Sequence, residues 1–232
     1  MKHYTKRNSF FYSILAFLIF IPSLQAQLTV TTNPTIANII NTIEGEGVTI
    51  SNVTISCASN GYGLFDLAGT TPMGLTQGVL LTSGTATGAI GPNNVGNLSG
   101  NMGTGGNALL TTLAGATTQD ACILEFDVVP AGDRIEFRYS FGSEEYPEWV
   151  NSSYNDVFAF MISGPGIAGE QNIALIPATT TPVTINNVNV GSNATYYQTN
   201  ATGNATFQYD GYTVNLVATR TGLTPCATYR VR

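Results

Sequence analysis

Charge is scarce in this chain, and basic charge scarcest. Only 9% of the 232 residues are charged, with eight Lys or Arg against fourteen Asp or Glu and a single His. Both lysines (Lys2, Lys6) and the histidine (His3) fall inside the first 26 residues. That segment reads as a secretory leader: a basic start, an apolar stretch from Phe10 to Ile21, and Leu24-Gln25-Ala26 ending on a small residue. Its apolar stretch is shorter than a membrane-spanning helix needs. Removing residues 1–26 leaves five arginines, fourteen acidic residues and a net charge of −9. A chain with neither His nor Lys cannot run Ser–His–Asp, Cys–His, Ser–Lys or Schiff-base chemistry. A surface so acidic is a poor match for nucleic acid or anionic lipid. With no His and no CxxC, a structural zinc site is excluded too.

Cysteine is also sparse: Cys57, Cys122 and Cys226. Export to an oxidising compartment permits one disulfide and leaves one thiol over. The expected pairing is Cys122 with Cys226. Tryptophan occurs once, at Trp149.

What is present instead is Gly, Thr, Asn and Ser, punctuating short runs of β-branched and aromatic residues. Ile36, Ile39, Ile40 and Ile43 recur at helical spacing after Pro34, which predicts a short helix capped by Asn33 and stopped by Gly45 and Gly47. VTISNVTIS (Val48–Ser56) alternates as a strand bulged near Asn52. Gly61, Gly63 and Gly69 suggest a loop around Phe65, and Val79–Thr82 a short strand. Gly84–Gly106 carries no charge and no phosphate-cradle spacing, so it reads as a long surface loop. Asn107–Ala114 suits one or two helical turns. Cys122–Val129 and Arg134–Phe141 both alternate apolar and polar residues. With Pro130-Ala131-Gly132-Asp133 between them they predict a hairpin, its outer face pairing Glu125 and Asp127 with Arg134 and Arg138. Asp156–Ser163 is apolar on both faces, as a covered central strand is. Further short strands are expected at Asn172–Pro177, Val183–Val190, Thr206–Tyr209, Tyr212–Ala218 and Tyr229–Val231. The fold class expected is all-β: one domain over residues 27–232, a two-sheet, jelly-roll-like β-sandwich with one or two short helices. The half-strand at Tyr229–Val231 suggests a fragment whose last strands lie beyond Arg232.

Nine of the fourteen acidic residues lie between Asp120 and Asp156. Glu144, Glu145, Glu148 and Asp156 crowd one connection between strands. Hard carboxylate oxygens gathered on one loop suit Ca²⁺, which makes Glu144, Glu145 and Asp156 the candidate ligands, although the EF-hand spacing is absent. Set against this, the same carboxylates can simply cap loop amides or face water. Read as catalysts, they would form a glycosidase pair about 5–10 Å apart. Trp149, Tyr146 and Tyr154 offer a platform for a sugar or a protein, with packing into the core or anchoring of the loop the commoner fate.

The segments DACILEFDVVPAGDRIEFRYSFGSEEYPEWVNSSYNDVFAFMISGPGI, NIALIPATTTPVTINNVN, YDGYT and PCATYRV resemble the choice-of-anchor L domain family, and GEGVTISNVTIS and MGLTQGVLLTSG extend the likeness upstream. The resemblance runs from about Gly45 to Arg232, and FGSEEYPEW with NDVFAF is its most specific part. It implies a secreted or surface-attached bacterial module, carried in many cases by type IX-secreting bacteria and held by one of several C-terminal anchors. It implies no enzyme activity and fixes no site residues. The function expected is therefore a non-enzymatic module for adhesion or surface organisation, with an extracellular protein or glycan as partner. The alternative is a carbohydrate-active protein, either a lectin-like binder or a glycosidase.

Overall fold

A computed structural model describes Met1 and residues 28–67, 73–98, 100–200 and 207–232. The leader expected over residues 1–26 thus lies, apart from Met1, outside the described residues. In chain order the elements are β1 (Leu28–Thr32), α1 (Ile36–Ile43), β2 (Val48–Ser56), β3 (Tyr62–Leu67), β4 (Gln77–Leu81), α2 (Ala108–Ala114), β5 (Ile123–Pro130), β6 (Arg134–Tyr139), β7 (Gly142–Ser143), β8 (Val157–Phe158), β9 (Met161–Ser163), β10 (Gln171–Asn172), β11 (Val183–Thr184), β12 (Tyr197–Thr199), β13 (Gly211–Thr213), β14 (Leu216–Thr221) and β15 (Tyr229–Val231). The fold is all-β, in several antiparallel sheets with two short α-helices.

The largest sheet runs β10-β9-β15-β5-β2. Facing it is a ribbon in which β6 pairs with β14, from Arg134↔Thr221 to Tyr139↔Leu216. That ribbon continues, after a one-residue slip, as β7 against β13 at Gly142↔Tyr212 and Ser143↔Gly211. A single apolar cluster joins the two layers. Phe126, Val128, Ile162 and Val231 come from the five-stranded sheet, and Ile135, Tyr139, Leu216 and Ala218 from the ribbon. Burying one such aliphatic side chain contributes about 1.5–3 kcal/mol. A smaller cluster of Leu28, Leu67, Ala89, Phe207 and Tyr212 lies under the separate β1-β3-β4 sheet.

The expected hairpin does not form. The alternation in both segments is real: Phe126 and Val128 on one strand, and Ile135 and Tyr139 on the other, are buried. But β5 pairs with β2 and β15, while β6 pairs with β14. Pro130–Asp133 therefore carries the chain from one layer to the other. Alternation names the inward face of a strand but not its neighbour. Glu125 and Asp127 accordingly meet Arg230 of β15, at 3.0 and 3.2 Å, not Arg134 or Arg138. Arg134 pairs with Glu136 on its own strand.

Asp156–Ser163 is likewise two strands. β8 pairs with β11, and β9 pairs with β15 and β10. The segment is apolar on both faces because it crosses between sheets. Nor is β15 an exposed half-strand: it lies inside the large sheet between β9 and β5.

Two local expectations are refined. Thr35, not Asn33, caps α1, its Oγ1 accepting from the Asn38 amide. The glycine-rich stretch around Phe65 is strand β3, not a loop. Gly63 is needed there because a Cβ would stand 2.9 Å from the Thr31 carbonyl oxygen, and Gly78 because a Cβ would stand 2.7 Å from the Phe65 ring. Close approach of neighbouring strands is the second reason for glycine in a sheet. The bulge in β2 is where the sequence places it, between Ser51 and Thr54, with Asn52 in the left-handed region at φ 50°.

The disulfide joins Cys57 to Cys122, not Cys122 to Cys226. Ser56 pairs with Ile123, so the two cysteines follow directly from the paired ends of β2 and β5. Cys226 is exposed and free, and its amide donates to the Pro130 carbonyl at the opposite end of β5. A strand of eight residues separates the two ends by about 25 Å, beyond the reach of any disulfide.

Candidate functional site

The segment Gly142–Asp156 leaves the ribbon at β7 and returns to the fold at β8. Few regular hydrogen bonds hold it, so side chains take over that role. Tyr146 is fully buried, and its hydroxyl donates to the Val188 carbonyl at 2.5 Å. Asn186 clamps the tip. Its Oδ1 accepts from the Asn151 amide at 2.5 Å, and its Nδ2 donates to the Ser152 carbonyl at 3.1 Å. The Asn186 amide in turn donates to Asn155 Oδ1, and Asn155 Nδ2 donates to the Ala114 carbonyl that ends α2. The Trp149 amide donates to the Glu145 carbonyl, closing a turn. The asparagine richness of this chain therefore does backbone-satisfying work that a sheet ladder does elsewhere.

The three aromatic residues separate. Tyr146 is core, with its ring 4.9 Å from that of Tyr197. Trp149 and Tyr154 are 45% and 59% exposed, held edge to face with ring centroids 4.8 Å apart. Of the core or loop-anchoring packing expected, Tyr146 takes the core role, while Trp149 and Tyr154 pack on each other within the segment and stay exposed.

The carboxylates take two sets of partners, although the charge of Glu145 still reaches Glu144. Glu144 turns toward Gln208 and Asp210, and its Oε2 accepts from the Leu98 amide at 3.4 Å. Burial, reinforced by the charge of Asp210, pushes its carboxyl up to about 7. Asp210 is also raised, first by burial, against the hydrogen bond that Asn93 Nδ2 gives its Oδ1 at 2.8 Å. Glu144 Oε1 and Asp210 Oδ2 are both buried without a hydrogen-bond partner. Around them Asn93, Asn200 and Gln208 form a buried amide network: Gln208 Nε2 donates to Asn93 Oδ1 and to the Val95 carbonyl, and Asn93 Nδ2 to the Asn200 carbonyl.

Glu145 belongs to the second group, and burial followed by the charges of Asp156 and Glu148 raises it. Asp156 is open to solvent as a residue, yet its carboxylate turns inward onto the buried Ser143, whose Oγ donates to Oδ2 at 2.8 Å. The protein packed around that carboxylate raises it, against the Ser143 hydrogen bond. Tyr209, between the groups, is pushed up to about 12 by burial, with the Thr82 hydrogen bond opposing and the charges of Glu144 and Asp156 adding to the rise.

Glu144, Glu145 and Asp156 do not converge as one ligand set. Among the described residues no three acidic, cysteine or histidine side chains gather closely enough to hold a metal ion. The partners that define the first group, Asp210 and Gln208, stand more than sixty residues downstream and carry no signal in the local sequence. The tightest clue available was YDGYT, where Asp210 sits among tyrosines.

No helix among the described residues is long and apolar enough to cross a membrane. The family model for the Choice-of-anchor L domain matches residues 27–232. No curated protein and no solved structure matches the chain.

Proposed function

The chain belongs to the choice-of-anchor L domain family, a surface-associated module outside the known enzyme families, and from that premise we propose that it serves adhesion or surface organisation without catalysing a reaction. The observation that carries this reading is the Gly142–Asp156 segment. It is fixed in place by Tyr146, Asn155 and Asn186, and it presents the chain's single tryptophan and a neighbouring tyrosine to solvent. Exposed aromatic area on a rigid, polar-rimmed segment is the usual form of a recognition surface. Past residue 26 the sequence has neither His nor Lys, so the common nucleophile–base pairs are missing from its chemistry.

The test is direct. Beads coated with the chain are scored for retention on bacterial cells, against beads coated with a Trp149→Ala, Tyr154→Ala double variant. Strong retention of the first and weak retention of the second supports the reading. Retention no better than bare beads, or turnover of glycoside substrates by the purified chain, overturns it.

A further inference from the structure

We propose that the Trp149–Tyr154 face docks a basic segment of a partner polypeptide, one that presents arginine or lysine side chains. The inference rests on the adhesion reading only in supposing that the partner is another macromolecule at the cell surface.

Three observations select this occupant. The aromatic pair is exposed but not loose: Trp149 is tied to Glu145, Ser152 to both Trp149 and Asn186, and the Tyr154 amide to Ser152 Oγ at 3.0 Å. Such a face is already ordered, so little entropy is lost on binding. Indole and phenol rings attract cations through their faces. Second, the charged residues of the Gly142–Asp156 segment are all acidic. Glu148 precedes Trp149 and is exposed, and its charge and that of Asp156 reach Glu145, whose carbonyl holds the Trp149 amide. Third, Arg134, Arg230 and Arg232 are paired elsewhere. Every ion pair among the described residues uses Glu125, Asp127, Glu136 or Glu170, so none of these pairs involves a carboxylate of the Gly142–Asp156 segment. A neutral sugar could stack on Trp149 but would leave those carboxylates unanswered, and an anionic ligand would be repelled. A guanidinium or ammonium group answers both the rings and the charge.

Trp149 is the only tryptophan, so indole emission, excited at a wavelength tyrosine does not absorb, reports this face alone. The purified chain is titrated with a short peptide alternating glycine and arginine, with the same peptide carrying neutral citrulline for arginine, and with a neutral oligosaccharide, maltohexaose. Calorimetry covers variants that lack the indole. The expected result is saturable binding of the arginine peptide that weakens with added salt and is about tenfold weaker for the citrulline peptide. Glu148→Gln, Trp149→Ala and Tyr154→Ala each weaken it several-fold while an unchanged thermal midpoint shows the fold intact. Equal binding of the citrulline peptide, binding indifferent to Trp149→Ala and Tyr154→Ala, or no binding of the arginine peptide overturns the proposal. A response to maltohexaose alone reassigns the face to glycans. Bead retention that survives Trp149→Ala and Tyr154→Ala would leave adhesion standing and remove this inference; peptide binding without bead retention would do the reverse.

Discussion

The acidic residues of β5 and those of the Gly142–Asp156 segment are chemically alike and live opposite lives. Asp127 accepts from Asn52 Nδ2 at 2.7 Å and pairs with Arg230, and the Asn52 hydrogen bond comes first in holding its carboxyl below the usual range. Glu144, Glu145, Asp156 and Asp210 form no ion pair among the described residues, and burial comes first in holding theirs above it. One region is arranged to keep its charges inside the fold at little expense. The other keeps its carboxylates where burial opposes their charge.

That contrast can be broken from either side. The largest effect is expected at the end of the compensated sheet. Cys122→Ser opens a loop of 65 residues and should lower stability by about 4 kcal/mol on the chain-entropy account, measured by urea unfolding. Cys226→Ser should leave the midpoint unchanged, because that thiol is free and exposed; a loss as large as that of Cys122→Ser would restore the Cys122–Cys226 pairing.

Next in size is Arg230→Ala. It leaves Glu125 and Asp127 without their shared cation and should lower stability by about 1–2 kcal/mol. If the loss disappears at high salt, the pairs act through screened charge alone and not through the hydrogen bonds at 3.0 and 3.2 Å.

Asn186→Ala removes the clamp on the segment tip and should cost about 1 kcal/mol while lowering the fluorescence anisotropy of Trp149. An unchanged anisotropy would mean that Tyr146 and Asn155 suffice to order the tip.

The smallest effect is the most diagnostic. Glu144 has its carboxyl raised from 4.5 to about 7 in the folded state. Between those values the folded chain binds more protons than the unfolded chain, so this residue's contribution to stability falls as pH rises through that window. Asp127 behaves oppositely: its stabilising contribution is present above the ordinary aspartate value and is lost as pH falls below it. Glu144→Gln should therefore flatten the slope of thermal midpoint against pH between about 4.5 and 7 and raise the midpoint by a few degrees above pH 7. An unaltered slope would show that Glu144 is solvated.

The sequence disclosed what depends on neighbours in the chain and hid what depends on neighbours in space. The isoleucines of α1 sit at helical spacing, and the bulge at Asn52 interrupts an alternating strand, so both could be read directly. The inward faces of β5 and β6 could be read from alternation as well. Their partners could not, because a four-residue Pro-Ala-Gly-Asp connection serves a hairpin and a change of layer equally well. The crowding of Glu144, Glu145 and Asp156 was visible. Their division was not, since Glu144 finds Asp210 and Gln208 while Glu145 finds Asp156. The exposure of Trp149 and Tyr154 depends on Asn186 and Asn155 fixing a segment that otherwise has little to hold it.

The position of β15 has a consequence for how the protein comes into being. Residues 229–231 form an interior strand of the largest sheet, with β9 on one side and β5 on the other. A chain emerging amino-terminus first must hold β2, β5, β9 and β10 ready with a gap in the middle. Until the last of those residues arrives, two strand edges stay open to any extended peptide. Assembly is then governed by a late, sequence-distant closure, slow by topology and exposed to misassociation along the way.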